Sequence, residues 1–548
     1  MTNSIPDVTE QADVIMMVGT NAEEAHPVLG MHIRRAVERG ARLIVVDPRT
    51  IRLSARADIH LKLRPGTNVA LFNGMTNILI QHNLIDEEFI AQRTENFDEL
   101  KRVVAAYTPE RVAEICGIDQ RMLVEAALIY GRANTAAIMY CLGVTEHTTG
   151  TAGVLSLSNL AMAAGKIGRP GCGVNPLRGQ NNVQGACDMG ANPDNFPGYQ
   201  KFTTPGVFEK FENAWGVSLS RTVGHYATDQ FNRALEGSLK AMYIMGEDPM
   251  RTDPDIAHVM KALKALDFLV VQELFMTETA KMADVVLPGC SYAEKEGTFT
   301  NTERRIQRVR AAVPVHEGAR LDTDIFIDVM NRMGYPQPYL TAAEIMDEVA
   351  RLDPAYGGVS HARLDSAACY NDGLQWPVPT KTSPSTAILH VGAFTRGRGL
   401  FKPEEYRAPA ETADARYPII MMTGRVLHQY NACAMTARTK GINELGDSSF
   451  IEINTSDASQ LGIEDGDRVR VCSRRGCITS SARVSDKTTP GHAWMPFHYE
   501  DGNSNWITNG ALDDHARVPE YKVCAINVSR APRSAAHAGD KAPSVPAP

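Results

Sequence analysis

Short apolar runs separated by glycine-rich breaks dominate the first half of the chain, and their spacing predicts alternating strands and helices. Asp13-Val14-Ile15-Met16-Met17-Val18 predicts a buried strand ending at Gly19-Thr20-Asn21. A helix over 31–37 and a second strand, Leu43-Ile44-Val45-Val46-Asp47, complete one βαβ unit, and a third short strand is expected within 57–63. Residues 1–12 are polar and are expected to fray. The same order returns later. Leu239-Lys240-Ala241-Met242-Tyr243-Ile244-Met245 predicts a strand ending at Gly246, a helix follows over 256–266, and Phe268-Leu269-Val270-Val271-Gln272 predicts the next strand. Ala283-Asp284 then echoes Ala57-Asp58: Gly19 to Asp58 is 39 positions and Gly246 to Asp284 is 38. The repeat predicts two related α/β (Rossmann-like) domains about a pseudo-dyad, each with a nucleotide pocket at its strand ends. The competing account is the general likeness of any two βαβ units.

Between these units the pattern predicts helices over 69–83, 86–93, 108–117, 119–132 and 155–164, with a strand over 136–141. A further helix is expected over 322–333, and the Pro- and Gly-rich passage 352–416 reads as a linker. From Tyr417 the pattern changes to short strands broken by turns such as Glu464-Asp465-Gly466-Asp467, which predicts a closed β-barrel. From Ala531 onward the chain holds too little apolar surface to bury and is expected to be disordered. The fold class is therefore α/β, divided as 1–178, 179–351, a linker 352–416, a barrel 417–530 and a tail 531–548.

Charge and cysteine usage narrow the function classes. A net charge of −8 disfavours nucleic acid as a partner, and no apolar run is long enough to span a bilayer. No signal peptide or twin-arginine stretch opens the chain, which is expected to be cytoplasmic. None of the ten cysteines forms a CxxC pair, so no iron–sulfur or structural zinc motif is written here. Scattered single cysteines fit buried thiols in a reducing cytosol. There is no GxGxxG, so an ordinary NAD site is not supported.

The candidate chemistry sits in one stretch, Arg178-Gly179-Gln180-Asn181-Asn182-Val183-Gln184-Gly185-Ala186-Cys187-Asp188-Met189-Gly190, behind the turn-rich lead-in 168–176. Glycine weakens both helix and strand, and amides prefer turns, so this reads as a long polar loop approaching a charged ligand. The bland alternative is a surface linker. Arg178 offers charge and a planar fork, the two handles by which a small carboxylate is gripped, and Gln180 can orient a ligand without adding negative charge. The competing role for Arg178 is a structural ion pair with Asp188.

This stretch resembles the active-site loop of molybdenum or tungsten formate dehydrogenases, members of the molybdopterin-guanine-dinucleotide oxidoreductases. The likeness runs from about residue 12 to about residue 530. Nitrate reductases resemble the region too but start the loop with Thr. The resemblance implies a catalytic subunit that oxidises formate to carbon dioxide at a Mo or W bis-molybdopterin-guanine-dinucleotide centre, with a C-terminal barrel of double-psi type. Arg178 and Gln180 would then hold formate. Matching cofactor contacts are Asn21, Asp47, Arg49, Gly66 and Asn68 in the first unit, Leu142 and Glu146 at its edge, and Gly246, Asp248, Thr252 and Gln272 in the second. In the barrel they are Arg425, Tyr430, Asn505, Tyr521 and Lys522. Arg49 would pair with a phosphate, and Asp47 would accept from a ribose or guanine edge. Two positions depart from the family: Glu146 stands where Gln is usual, and Glu273 where Asp is common. No residue here matches the family's metal ligand, a Cys or selenocysteine followed by His, or its iron–sulfur portion. Both are expected in an amino-terminal portion ahead of Met1, lost to a selenocysteine codon read as stop, to a split gene or to a decayed one. Electron-transfer subunits of iron–sulfur or NAD-reducing type would be the partners, and this chain alone would be incomplete or inactive. A nitrate reductase and a non-catalytic fragment are the alternatives.

Overall fold

The computed structural model describes residues 1–446 and 448–532. Its first sheet is built from β1 (Val14–Val18), β2 (Arg42–Val46), β3 (Ile59–Leu61), β4 (Ala136–Tyr140) and β5 (Gly173–Pro176), in the order β3-β2-β1-β4-β5 and parallel throughout. The continuous apolar runs predicted buried strands, and the two faces explain why. Val14, Met16 and Val18 pack into one core with Ile44, Val46 and Ile138, while Ile15 and Met17 pack into another with Leu43, Val45 and Met139. Helices cover both sides, so neither face of β1 meets water.

The second sheet repeats the first three strands. β6 (Ala241–Met245), β7 (Phe268–Glu273) and β8 (Val285–Pro288) run parallel in the order β8-β7-β6. The echoed aspartates perform one task in both units. Asp58 accepts from the Leu43 amide at 2.8 Å and Asp284 from the Leu269 amide at 2.7 Å, each pinning the start of a second strand. The Gly19 amide donates to Val46 O at 2.8 Å and the Gly246 amide to Gln272 O at 3.0 Å, closing the matching turns. This is specific correspondence, beyond the likeness of any two βαβ units.

A hairpin of β9 (Gly297–Thr300) and β10 (Arg305–Val309) follows. The carboxy-terminal strands are β11 (Ile419–Gly424), β12 (Phe450–Ile453), β13 (Arg468–Cys472), β14 (Cys477–Val484), β15 (His492–Pro496) and β16 (Cys524–Arg530). They close a barrel in the order β11-β15-β12-β14-β13-β16, around a core that includes Met421, Ile451, Val469 and Met495.

Several expectations need correction. The start of the chain is ordered: α1 (Ile5–Gln11) is capped by Ser4, Val8 and Asn3 are fully buried, and the Met1 amine donates to Thr302 O. A helix of seven residues started by Ser-Ile-Pro outweighed the polar composition. The lead-in 168–176 is not all turn, because Gly173–Pro176 extends the sheet against β4. The stretch 178–190 carries α2 (Val183–Asp188), started by Asn182 in the left-handed region at φ 60°. The passage 352–416 is no linker: its residues 399–400 pair with 94–95 of the first unit, Phe401 is fully buried, and Pro409 packs on Gly66. Cys472 and Cys477 are not free thiols but form a disulfide, since the β13–β14 hairpin sets them opposite each other. The expected disorder from Ala531 lies outside the described residues except at its start, where the Ala531 amide donates to Arg468 O at 2.8 Å.

Candidate functional site

The two pseudo-related strand ends open into two cavities beneath the barrel. The first encloses about 130 Å³ and the second about 670 Å³; both are walled by Leu142, Thr423, Arg425 and Phe497. Asn21, Asp47, Arg49, Gly66, Asn68 and Lys522 line the first. Glu146, Gln180, Gly246, Asp248, Thr252 and Gln272 line the second, with Tyr430 and Tyr521. Asn505 lines neither. It is fully buried and donates to Arg251 O and Thr252 O, so it positions the turn that carries Thr252.

Close backbone approach shapes the first cavity. Gly19 and Gly143 touch so tightly that a Cβ on Gly19 would stand 2.6 Å from Gly143 Cα, which brings the β1 end against the Leu142 turn. Asp47 turns its carboxylate back to accept from the Arg49 amide at 2.9 Å, and burial pushes its pKa up to about 6. Arg49 is engaged elsewhere than expected. Its Nε donates to the fully buried Glu452 at 2.6 Å and its guanidinium lies 4.2 Å from the Trp494 ring centroid, which ties the first unit to the barrel.

The wall between the cavities holds the departure seen in the sequence. Glu146 pairs with Lys522 at 2.5 Å, both nearly buried, and Lys522 N also donates to Glu146 O. A carboxylate in place of Gln is thus balanced by the cation beside it.

Carboxylates crowd the second cavity, with Glu247, Asp248, Asp253 and Glu273 at one end. Burial first, then the charges of Glu247 and Asp248, raise the Asp253 carboxyl to about 7, against the opposing bond from Thr252. A carboxyl raised on folding stabilises the fold below its unfolded pKa of 3.8 and loses that contribution as pH rises through about 7. Asp253→Asn is therefore expected to raise the melting temperature of the cofactor-free chain at pH 8. The gain over wild type should vanish near pH 4, and calorimetry of both proteins across that range checks it.

Arg178 stands where the first unit, the hairpin and the stretch 178–190 meet. Its amide donates to Thr302 Oγ1 at 2.9 Å and its carbonyl accepts from His26 Nε2 at 2.7 Å, fixing the backbone from two sides. Its guanidinium forms no ion pair among the described residues; the nearest partner is Cys187 Sγ, 3.9 Å from Nη1. Asp188 does not pair with it. That carboxylate is buried and accepts from Tyr356 Oη at 2.6 Å, Trp376 Nε1 at 2.8 Å and Gln184 Nε2 at 2.8 Å. Gly179 lets Arg425 approach, since a Cβ there would sit 2.3 Å from both terminal guanidinium nitrogens. Asn181 donates its amide to Tyr430 Oη, closing the barrel loop over the stretch.

Both cavities carry polar side chains on their walls. Several buried polar atoms facing this space lack a protein partner: Thr20 Oγ1 and Asn21 Oδ1 in the first cavity and Arg425 Nε between the two. Unpaired donors and acceptors are costly unless a ligand meets them. Sequence reasoning missed Arg64, Trp494 and Phe497, which line the first cavity, and Lys295 and Asp322, an ion pair on the second. Only Asp322 carried a signal, as the first residue of an expected helix.

Comparison with known proteins gives the family. Residues 1–332 match the model of the family described as Molybdopterin oxidoreductase, and residues 419–525 match the Molydopterin dinucleotide binding domain. The chain is 49% identical over 535 residues to F420-dependent formate dehydrogenase 2 subunit alpha of Methanococcus maripaludis, covering 97% of this chain and 78% of that protein. It is 39% identical to formate dehydrogenase H of Escherichia coli, covering 96% of this chain and 74% of that one. In fold it resembles acetylene hydratase from Pelobacter acetylenicus at a TM-score of 0.75 and 18% identity, covering 96% of this chain and 80% of that one. With a family match over more than half its length and relatives of this identity, the chain belongs to the molybdopterin oxidoreductase family.

Proposed function

We propose that this chain is the catalytic subunit, or the larger part of it, of a formate dehydrogenase that oxidises formate to carbon dioxide with a bis-guanine-dinucleotide molybdopterin. The observation that carries the reading is Arg178, a guanidinium without an ion pair among the described residues, fixed at its backbone two positions before Gln180 on the wall of the second cavity. Formate has no side chain to recognise, so charge and a planar fork are its only handles. Held by Arg178, its carboxylate oxygens would leave the C–H bond directed away from the guanidinium, and orientation of this kind supplies much of a catalyst's advantage. Gln180 and Asn181 border the second cavity and add amide dipoles without a competing negative charge. When bound, the cofactor supplies a Mo or W centre that takes up two electrons from the substrate.

The cavity residues have donors and acceptors for two nucleotide arms. Asn21, Asn68, Arg49 and Lys522 face one arm, Asp248, Thr252 and Gln272 the other, and Arg425 reaches both. Electrons would leave through an iron–sulfur cluster towards electron-transfer subunits; the relatives' printed names, F420-dependent formate dehydrogenase subunit alpha, speak for further subunits. No described helix is long and apolar enough to cross a membrane. Acid hydrolysis of the assembled protein should release two guanosine monophosphates per chain, and formate should reduce its metal centre. Release of one nucleotide, or a centre indifferent to formate, would overturn the reading.

A further inference from the structure

Arg178 reaches the neighbour of a buried carboxylate that it does not pair with: its Nη1 lies 3.9 Å from Sγ of Cys187, the residue before Asp188. Asp188 is 1% exposed, yet its partners are all neutral: Tyr356 Oη, Trp376 Nε1 and Gln184 Nε2, with Tyr199 Oη close enough to add a fourth bond. A buried carboxylate is most stable with a cation, and two cations are near. Arg304 is occupied: it is buried and gives its N–H groups to the carbonyls of Met1, Trp376, Thr386 and Ala387. The Arg178 guanidinium has no ion pair among the described residues; its hydrogen bond goes to Cys187, the residue before Asp188. Gln184 belongs to the stretch itself, while Tyr356 and Trp376 come from outside it, in the passage 352–416.

We infer that Asp188 is a positioning residue, held away from Arg178 by Tyr356 and Trp376 so that the guanidinium stays free for a carboxylate substrate. The inference rests on the substrate reading of Arg178. Two roles meet in one set of bonds. The bonds anchor the far end of α2 while Thr300 N, donating to Asn182 Oδ1 at 2.9 Å, anchors its start. They also satisfy Asp188 without lending it a charge, so that it does not compete with the ligand. Tyr199 stands in a left-handed backbone conformation at φ 56°, a cost that a residue other than glycine bears when its side chain is needed in one place.

The test is a rescue. Titration of carbon-13 formate on the purified chain, followed by nuclear magnetic relaxation, gives the dissociation constant without any turnover. Tyr356→Phe removes one donor, and the under-satisfied Asp188 then turns to Arg178, weakening formate by about tenfold or more. Adding Asp188→Asn removes the competing charge, and affinity should return to within about threefold of wild type. Trp376→Phe, alone and with Asp188→Asn, repeats the comparison should Tyr356→Phe fail to fold. A double variant as weak as the single, or weaker, would mean the bonds serve only to hold the loop, and the inference fails. If wild type binds formate no better than Arg178→Ala, the substrate reading itself fails first and the inference falls with it.

Discussion

Arg178→Lys in the assembled enzyme should lower kcat/KM for formate by about 100- to 1,000-fold, the range seen when one fixed donor to a developing charge is lost. The expectation comes from geometry rather than net charge, which the substitution keeps. A guanidinium presents parallel N–H groups in a plane that a carboxylate matches, whereas an ammonium offers a point charge on a flexible stem. The backbone of Arg178 is fixed by His26 and Thr302, so the shorter reach of lysine is not recovered by moving the loop. The loss should fall on kcat as well as KM, because a formate held at one point no longer keeps its C–H bond in a single direction. Steady-state kinetics with formate checks this, with nucleotide content measured in parallel. A variant that kept its bound guanosine nucleotides and full kcat would remove Arg178 from the reaction.

Much of the architecture was legible because it rests on local rules. Continuous apolar runs such as Val14–Val18 have only one stable home, a strand covered on both faces. The spacing of Gly19 and Asp58 against Gly246 and Asp284 was legible as a repeat because each pair performs one backbone task, closing a turn and pinning a strand. Composition misled where a few contacts decided the outcome. Residues 1–12 look frayed until the Arg169 carbonyl, accepting from Asn3, and the Arg304 side chain, donating to Met1 O, are seen to fasten them from 166 and 303 positions away. The passage 352–416 looks like a linker because proline and glycine recur along it, yet Tyr356, Trp376 and Pro409 are the residues that brace Asp188 and Gly66. No periodicity announces a side chain whose partner lies two hundred positions away.

The same limit hid the partner of Arg49. From sequence it reads as a cation for a phosphate; in the fold it is buried against Glu452, which also accepts from Lys487 Nζ at 3.1 Å. Burial pushes the Glu452 carboxyl up, but the Arg49 bond and the two positive charges outweigh it and leave it lowered. Its stabilising share is therefore present above the ordinary carboxylate range and is lost as pH falls through the lowered pKa.

Glu452→Ala should destabilise the chain by about 3–5 kcal/mol at neutral pH, because it strands a buried guanidinium with only Glu24, 3.9 Å away, and the Trp494 ring for company. The companion variant separates desolvation from attraction. Arg49→Met with Glu452→Leu removes both charges at similar volume and should recover most of the loss, since a buried ion pair often gains little over well-packed apolar side chains. Urea midpoints of the two variants and wild type decide the matter. The comparison also bears on the site, because Arg49 lines the first cavity and Glu452 is a barrel residue. Through that pair the barrel and the first unit hold one wall of the cavity in common. If Glu452→Ala unfolds at the wild-type urea midpoint, the cavity wall does not depend on the pair, and Arg49 is free to serve the phosphate that its sequence position first suggested.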